Sequence, residues 1–291
     1  MIAADRPRDA RRGMKGRHMR WVISALLVLA LVPPALAADL DTDVLRGSEP
    51  VGPALFTNWT GFYVGGQGGI SDADADFSGA TQPTIAYLLR DTALENTSHP
   101  SELPVLGTAD QTGASYGGFV GYNTQWQDLM LGVEANFEHT TVSLIAPGNP
   151  IARSGLSDGL GNSYTVLISG TGAMTDLNYV ALRGRAGLVL GDFLPYGFLG
   201  AVLGVANINV TTSIQGFCEP GSTPNCSDFA FSGSAGRNYA LLYGATIGAG
   251  LDYAVTQHFF LRGEYEYTLF APFDSITLQV SSARLGLGYR F

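Results

Sequence analysis

The sequence predicts an all-β protein, an eight-stranded antiparallel up-and-down β-barrel that spans a membrane. Only 14% of the residues are charged and 46% are hydrophobic, with 38 glycines, whereas a soluble domain usually carries about 25% charged residues. Segments of about ten residues alternate apolar with polar or small side chains, as strands between lipid and a polar lumen do. Because lipid tolerates no unpaired backbone group, strands can cross a membrane only as a closed barrel.

Eight segments show this alternation, and each is long enough to cross a membrane as a tilted strand. In the third segment, Leu129, Leu131 and Val133 face one way, whereas Glu134 and Glu138 face the other. Glycines on both faces leave the phase of the first, second and fifth segments ambiguous. The predicted strands are residues 59–70, 115–125, 129–138, 176–190, 194–210, 238–255, 258–270 and 277–291.

The connections alternate in length, which is the second mark of an up-and-down barrel in a membrane. Tight turns are predicted at residues 126–128, 191–193 and 256–257, and a short connection at 271–276. The other connections are rich in Gly, Pro, Ser, Thr, Asn and Asp, and we expect them to be irregular loops at the opposite end of the barrel. These long loops are residues 71–114, 139–175 and 211–237.

The N-terminus has the parts of a secretory signal peptide. Seven basic residues precede an apolar run at residues 21–32, and Ala35-Leu36-Ala37 supplies a small-x-small cleavage sequence before Ala38. A transmembrane helix needs about 20 apolar residues, so this run is too short to span. Cleavage before Ala38 is therefore predicted, and an uncleaved anchor is the alternative.

The chain is accordingly divided into a signal peptide at residues 1–37, a flexible N-terminal tail at 38–57 and a barrel domain at 58–291. Met14 or Met19 is an alternative start, because either leaves a basic residue before the apolar run. Removing residues 1–37 takes seven of the 16 basic and two of the 25 acidic residues, which leaves a net charge of −14 and no lysine. Nucleic-acid binding is excluded, because it requires a basic face.

The two cysteines, Cys218 and Cys226, lie eight positions apart in a stretch rich in Pro, Gly and Ser. In a secreted chain this spacing predicts a disulfide that clips one loop. A metal pair is the alternative, but no histidine or second cysteine pair lies nearby. We predict no metal site and no cofactor.

Three segments resemble the small outer-membrane β-barrel proteins of Gram-negative bacteria, the porin-family or OmpA-like transmembrane barrels. They are WTGFYVGG at residues 59–66, GFVGYN at 118–123 and RLGLGYRF at 284–291. The resemblance covers about residues 59–291. It implies export to the cell outer membrane, contact with its lipid and lipopolysaccharide, and insertion by the outer-membrane assembly machinery. The implied assembly signal is the alternating C-terminal set Leu285, Leu287, Tyr289 and Phe291.

The predicted phase directs ten charged side chains into the lumen. An eight-stranded barrel is only wide enough for side chains to fill it, and arginine favours bidentate pairing with carboxylates in confined space. A salt-bridge network that plugs the barrel is the first interpretation, and a gated polar path for ions is the second. The ten residues are Glu134, Glu138, Arg183, Arg185, Asp252, Arg262, Glu264, Glu266, Arg284 and Arg290.

Other candidate sites carry weaker patterns. Asp72, Asp74 and Asp76 alternate along one face, but the residues that follow do not complete a calcium-binding loop. His139 lies beside Glu138 and four residues before Ser143, an arrangement common by chance, so no catalytic residues are predicted. The glycines of residues 65–69 are not followed by a helix pattern, which argues against a phosphate-binding loop.

Aromatic side chains fall mainly near the predicted strand ends, where a membrane-interface girdle is expected. The expected girdle comprises Trp59, Tyr63, Tyr122, Trp126, Tyr179, Tyr196, Tyr239, Tyr253, Phe259, Tyr267, Phe270 and Tyr289.

These patterns predict a protein that supports the envelope and displays loops outside, and that is not an enzyme. A small channel for ions or small solutes is one alternative. An adhesin or ligand-binding surface protein that uses loops 71–114 and 139–175 is another, with an extracellular ligand that the sequence does not identify.

Overall fold

The computed structural model describes residues 58–291. The predicted signal peptide and the predicted N-terminal tail both lie outside these residues. The strands are β1 (Gly61–Asp76), β2 (Thr108–Trp126), β3 (Leu129–Thr140), β4 (Leu144–Ala146), β5 (Ile151–Ser157), β6 (Ser163–Leu188), β7 (Phe193–Cys218), β8 (Phe229–Ala254), β9 (Phe259–Phe270) and β10 (Thr277–Arg290). The helical segments are α1 (Gln82–Leu89), α2 (Ala93–Ser98) and a 3₁₀ turn (Pro100–Glu102).

Eight of the strands form a closed antiparallel ring in the order β1, β2, β3, β6, β7, β8, β9, β10. The β1–β10 and β3–β6 pairs close it. The two remaining strands, β4 and β5, pair with the first part of β6. The predicted eight-stranded antiparallel up-and-down barrel is confirmed. No helix among residues 58–291 has the length and apolar character needed to cross a membrane.

Side chains alternate between the outside and the lumen along each strand, as the period of a strand requires. On β1, Phe62 and Ile70 are exposed, whereas Tyr63 and Gln67 are buried in the lumen. Several aromatics assigned to the girdle therefore lie inside. Trp59, Tyr63 and Tyr196 lie on predicted strands whose phase was ambiguous, whereas Tyr179 and Phe270 lie in the inward phase that their strands already predicted. The inward aromatics are Trp59, Tyr63, Tyr179, Tyr196 and Phe270.

Several strands continue well beyond their predicted ends. The strand β6 begins at Ser163 instead of residue 176, β7 ends at Cys218 instead of 210, and β8 begins at Phe229 instead of 238. The outward face of these extensions is rich in Ser, Thr and Gly, so the apolar alternation that marks a lipid-facing strand fades there. The backbone ladder continues because it needs no apolar outer face.

Two register shifts mark the level at which the barrel wall passes into these extensions. The pairing of β6 with β7 shifts between Thr175 and Asn178, and that of β7 with β8 shifts between Ala206 and Ile208. The side chain of Asn207 donates to Asp176 at 2.8 Å and accepts from the backbone N–H of Tyr239 at 3.0 Å. These bulges lie close to the predicted strand ends at 176, 210 and 238.

The long loops are folded, which corrects the prediction of irregular loops. Residues 71–114 contain the end of β1, both helices and the start of β2. Thr92 caps α2 by accepting from the backbone N–H of Glu95, as short polar residues do at helix starts. The helices pack on the inner face of the extended strands through a buried cluster, here called the cap core: Ile85, Leu89, Leu94, Val105, Val166, Ile168 and Ile214.

One glycine permits close strand packing in the lumen. A Cβ atom at Gly117 would lie 1.9 Å from the carbonyl oxygen of Phe137 and 3.0 Å from Glu138 Oε2. We expect Gly117→Ala to lower the free energy of unfolding by about 1–3 kcal/mol, because overpacking forces the backbone to move. The free energy of unfolding is measured by urea titration in detergent micelles, with the folded fraction determined from heat-dependent gel mobility.

Gly66→Ala is the matched control on β1, since its added Cβ would meet no atom closer than 3.9 Å. Equal losses of stability in the two variants would contradict the prediction.

Candidate functional site

The lumen contains a buried network of four arginines and five carboxylates, here called the lumen network. Its members are at most 5% exposed and come from β3, β6, β8, β9 and β10. Three ion pairs join residues directly opposite each other on neighbouring strands, namely Glu134–Arg183, Asp252–Arg262 and Glu264–Arg284. The members are Glu134, Glu138, Arg183, Arg185, Asp252, Arg262, Glu264, Glu266 and Arg284.

In the half of the network nearer the tight turns, two arginines face two carboxylates. Arg185 donates to Glu134 at 3.0 Å and to Asp252 at 2.8 Å. Arg262 donates to Asp252 at 2.9 Å and to Glu134 at 2.8 Å. The Tyr63 hydroxyl donates to Glu134 at 2.8 Å and accepts from Arg185 at 2.6 Å. This half links β1, β3, β6, β8 and β9 across the lumen.

In the other half, two arginines face three carboxylates. Arg183 donates to Glu264 at 2.7 Å and to Glu266 at 2.6 Å, and also reaches Glu134. Arg284 donates to Glu264 at 2.8 Å and to Glu266 at 2.5 Å, and its Nη1 lies 3.1 Å from Glu138. Arg284 therefore serves three carboxylates at once.

Aromatic rings cover the arginines on the side of the tight turns. The guanidinium carbon of Arg185 lies 3.8 Å from the ring centroid of Tyr196, and that of Arg262 lies 3.9 Å from Phe119. The Tyr196 hydroxyl donates to Glu264 at 2.9 Å. These rings belong to a buried cluster that fills this end of the lumen: Trp59, Tyr63, Phe119, Met130, Val189, Leu194, Tyr196, Phe198, Ala254 and Phe260.

Arg290 was predicted to join the network, but the structure places it elsewhere. Its Nη2 donates to the backbone carbonyl of Gln257 at 2.5 Å, and its guanidinium lies 5.1 Å from the ring of Trp59. Among residues 58–291 it forms no ion pair with a carboxylate. Its strand position is the last before the C-terminus, so it reaches the turn between β8 and β9 instead of the centre of the lumen. The network therefore holds five carboxylates and four guanidinium groups, not five of each.

The sequence missed the polar side chains that donate to the network carboxylates from outside it, among them two tyrosines, Gln67 and Thr268. Tyr63 and Tyr196 each donate to a carboxylate, and both lie on strands whose phase was ambiguous. The alternation of Phe62 and Val64 with Tyr63 is the signal that could have identified the first, since only one phase of β1 sends two large apolar side chains into lipid.

The two cysteines are joined in a disulfide at the tip of the β7–β8 hairpin. Beside it, Glu219 accepts from the backbone N–H of Gly155 at 2.8 Å and from the Thr165 hydroxyl at 2.7 Å. These two hydrogen bonds lower the pKa of the Glu219 carboxyl. The contact holds the disulfide-clipped tip against the β5–β6 hairpin at the cap.

The C-terminal set Leu285, Leu287, Tyr289 and Phe291 faces outward, with Phe291 75% exposed. The backbone N–H of Phe291 donates to the backbone carbonyl of Phe62 at 3.0 Å, so the last residue still belongs to the closed wall. Its role as an assembly signal stays a prediction.

The weaker candidates do not converge. Asp72 and Asp76 are exposed on the outer face of β1, and no group of three or more His, Cys, Asp or Glu side chains among residues 58–291 is arranged to hold a metal. His139 contacts Asn178 at 2.6 Å on the outer face, whereas Glu138 points into the lumen. Consecutive strand residues face opposite ways, so these two cannot act on one substrate.

Removal of one arginine should destabilise the barrel strongly. Arg262→Ala would leave Asp252 and Glu134 without one of their buried partners, and breaking a buried ion pair typically costs about 3–5 kcal/mol. We expect a loss of this size in urea unfolding in detergent micelles. Arg90→Ala is the control, because Arg90 pairs with Asp91 at 3.5 Å on the surface, where such a pair contributes at most about 1 kcal/mol. Similar losses in both variants would contradict the assignment.

Comparisons with known proteins agree with this architecture. A family model described as "Outer membrane protein beta-barrel domain" matches residues 24–291. The chain is 24% identical over 252 residues to a 22 kDa outer membrane protein of Rhizobium leguminosarum bv. viciae, covering 83% of this chain and 82% of that protein.

Two solved structures match the chain at low sequence identity. Neisserial surface protein A is 18% identical with a TM-score of 0.33, covering 80% of this chain and 98% of that one. Ail, the attachment invasion locus protein of Yersinia pestis, solved with the heparin analogue sucrose octasulfate, is 16% identical with a TM-score of 0.29, covering 79% of this chain and 99% of that one. On the family match, the chain belongs to the outer-membrane β-barrel family, and it is a protein of the bacterial outer membrane.

Proposed function

We propose that the protein is a closed, non-conducting barrel that anchors a folded cap on the outer surface of the outer membrane and contributes to envelope integrity. The lumen network carries this proposal, because its arginines tie carboxylates of β3, β8 and β9 together across the lumen.

Packing on both sides of the network supports closure. The aromatic cluster around Phe119, Tyr196 and Phe260 fills the end near the tight turns. A second apolar cluster, which includes Tyr179, Phe270 and Leu278, fills the lumen toward the cap. An ion would have to displace two apolar layers and break several buried ion pairs to pass.

The cap supports a role at the cell surface. Short turns lie on the periplasmic side of outer-membrane barrels and long connections lie outside, so the cap faces the exterior. It is ordered by the cap core and by the disulfide, and an ordered surface recognises a partner without the entropic cost of first folding. We therefore assign display to the cap and leave its ligand unspecified.

The outer face suits outer-membrane lipid, and we infer lipopolysaccharide and the assembly machinery as partners. Large apolar side chains such as Leu182, Leu199 and Leu241 are more than 60% exposed on the wall. Exposure of this extent around the wall is typical of a surface that contacts lipid. No catalytic role is assigned, because His139 and Glu138 lie on opposite faces of the wall.

Single-channel recording tests closure. We expect the full protein, purified in detergent from outer membranes, to give no stable conductance steps in a planar bilayer, because the network leaves no continuous polar path. Folding of the same sample is verified by its heat-dependent gel mobility.

The channel alternative predicts the opposite. Stable steps that change size or selectivity in Arg262→Ala or Glu264→Gln, but not in Asp72→Asn on the outer face, would overturn closure.

Substitution of Phe291 tests whether the C-terminal residue is part of a signal for the outer-membrane assembly machinery. We expect Phe291→Ala to reduce the amount of folded protein in outer membranes several-fold. Refolding of the purified variant in detergent should be unaffected, because the substitution keeps the backbone hydrogen bond to Phe62.

Phe193→Ala is the matched control, since Phe193 is 48% exposed at the same end of the barrel. Equal reduction by both variants, or normal insertion of Phe291→Ala, would contradict the assembly signal.

A further inference from the structure

The outer rim of the wall has a step between β8 and the β9–β10 hairpin. The strand β9 pairs with β8 only at residues 244–254, and the hairpin turns at Phe273–Ile276. Among residues 58–291, residues 229–237 of β8 have β7 as their one strand partner. The step leaves a notch in the rim beside the start of α1.

A cleft of about 190 Å³ lies in this notch. An apolar cavity of about 150 Å³ holds a benzene molecule, so the cleft has room for a branched aliphatic side chain. Ile208, Val210 and Ile276 line it and are at most 6% exposed. Ala80 and Pro83, beside and within the start of α1, complete the apolar lining.

Two opposite charges stand at the mouth of the cleft. Arg237 is directly opposite Ile208 on β7, so it shares the inner face with the apolar lining. Its Nη2 lies 3.9 Å from Asp274 Oδ2, beyond hydrogen-bonding distance, and the two side chains are 60% and 58% exposed. An exposed pair of this kind contributes little to stability, so both groups keep most of their capacity to bind a ligand.

Both charges are held in place before any ligand arrives. The guanidinium of Arg237 lies 5.0 Å from the ring of Phe273. Asp274 and Ser275 have φ of 46° and 63°, as the central residues of a tight hairpin turn do. The two backbone hydrogen bonds between Phe273 and Ile276, at 2.9 and 2.8 Å, close this turn. A site that is already formed binds without first paying the entropy of ordering.

We propose that the cleft binds a zwitterionic amino acid with a branched aliphatic side chain, such as leucine. The carboxylate accepts from the Arg237 guanidinium, the ammonium donates to Asp274, and the side chain fills the apolar cleft. An α-amino acid carries both charges on one carbon atom, so it can bridge two side chains that lie 3.9 Å apart. A ligand with one charge leaves half of the mouth unpaired, and glycine leaves the cleft empty.

This site deepens the surface role proposed for the cap by naming a class of ligand, and it rests on that proposal for its access to the cell exterior. Binding in detergent micelles requires neither an orientation in the membrane nor a closed lumen. Failure of the binding test is therefore distinguishable from failure of the closed barrel, which single-channel recording tests.

The test is equilibrium binding of radiolabelled L-leucine to the full protein in non-ionic micelles, with folding verified by heat-dependent gel mobility. We expect saturable binding of one leucine per chain. Isocaproate lacks the ammonium and isoamylamine lacks the carboxylate. Each should compete at least about tenfold more weakly than leucine, because each loses a charge-assisted hydrogen bond.

Substitutions at the mouth and in the cleft test the two parts of the site separately. Arg237→Gln and Asp274→Asn should each weaken leucine binding at least about tenfold. Ala235 lines the cleft directly opposite Val210. Ala235→Leu should prevent binding without a change of charge, because the larger side chain fills the space.

Arg90→Gln is the matched control. Arg90 also lies beside an aspartate, Asp91 at 3.5 Å, and over an aromatic ring, that of Tyr87 at 4.1 Å, but outside the cleft. It should bind leucine as the wild-type protein does.

Absence of saturable leucine binding to the folded wild-type protein would overturn the proposal. Wild-type affinity in Arg237→Gln, Asp274→Asn or Ala235→Leu would also overturn it by placing the ligand elsewhere. Competition by isocaproate or isoamylamine as strong as that by leucine would exclude recognition of a zwitterion. An equal loss in Arg90→Gln would attribute the effect to the net charge of the cap and not to this cleft.

Discussion

The arginine–carboxylate network is the interaction on which the rest of this structure depends. An eight-stranded barrel has a lumen that side chains must fill, and charged groups placed there are tolerable only when they neutralise one another. Arginine meets this need because its planar fork serves several acceptors at once; Arg284 alone reaches Glu138, Glu264 and Glu266. The same contacts that satisfy the charges also tie the wall together.

The network divides the lumen into layers with different roles. Aromatic side chains such as Phe119 and Phe260 lie on the periplasmic side, and their rings cover the arginines. Toward the exterior, apolar residues such as Phe270 pack above the charges and lead to the cap. This order separates the charged layer from water at both ends, which strengthens each ion pair and makes each unpaired atom more costly. An unpaired buried atom such as Glu138 Oε1 therefore destabilises the fold more here than it would near water.

The cap is an extension of the barrel and not a separate set of loops. Strands β6, β7 and β8 continue past the bulges at Asp176, Asn207 and Tyr239, and they carry the surface on which α1 and α2 pack. A bulge increases local twist and bends a strand. The wall can therefore leave the barrel geometry without losing its backbone pairing, and the outer surface stays connected to the rigid membrane part.

The sequence by itself determined the eight membrane-crossing strands, their antiparallel order and most of the lumen charges. The strands and the lumen charges follow from a local two-residue period, with apolar side chains such as Leu129 and Val133 opposite Glu134, and the antiparallel order follows from the short connections between neighbouring strands. It did not determine the position of Arg290, the inward direction of Tyr63 and Tyr196, or the folded cap. Glycines erase the period on the strands that carry the tyrosines, and the extensions of β6–β8 have a polar outer face that resembles a loop. Only the tertiary structure decided these features, because partners distant in the chain, such as Glu134 with Tyr63 and Val105 with Ile168, meet only once the wall has closed.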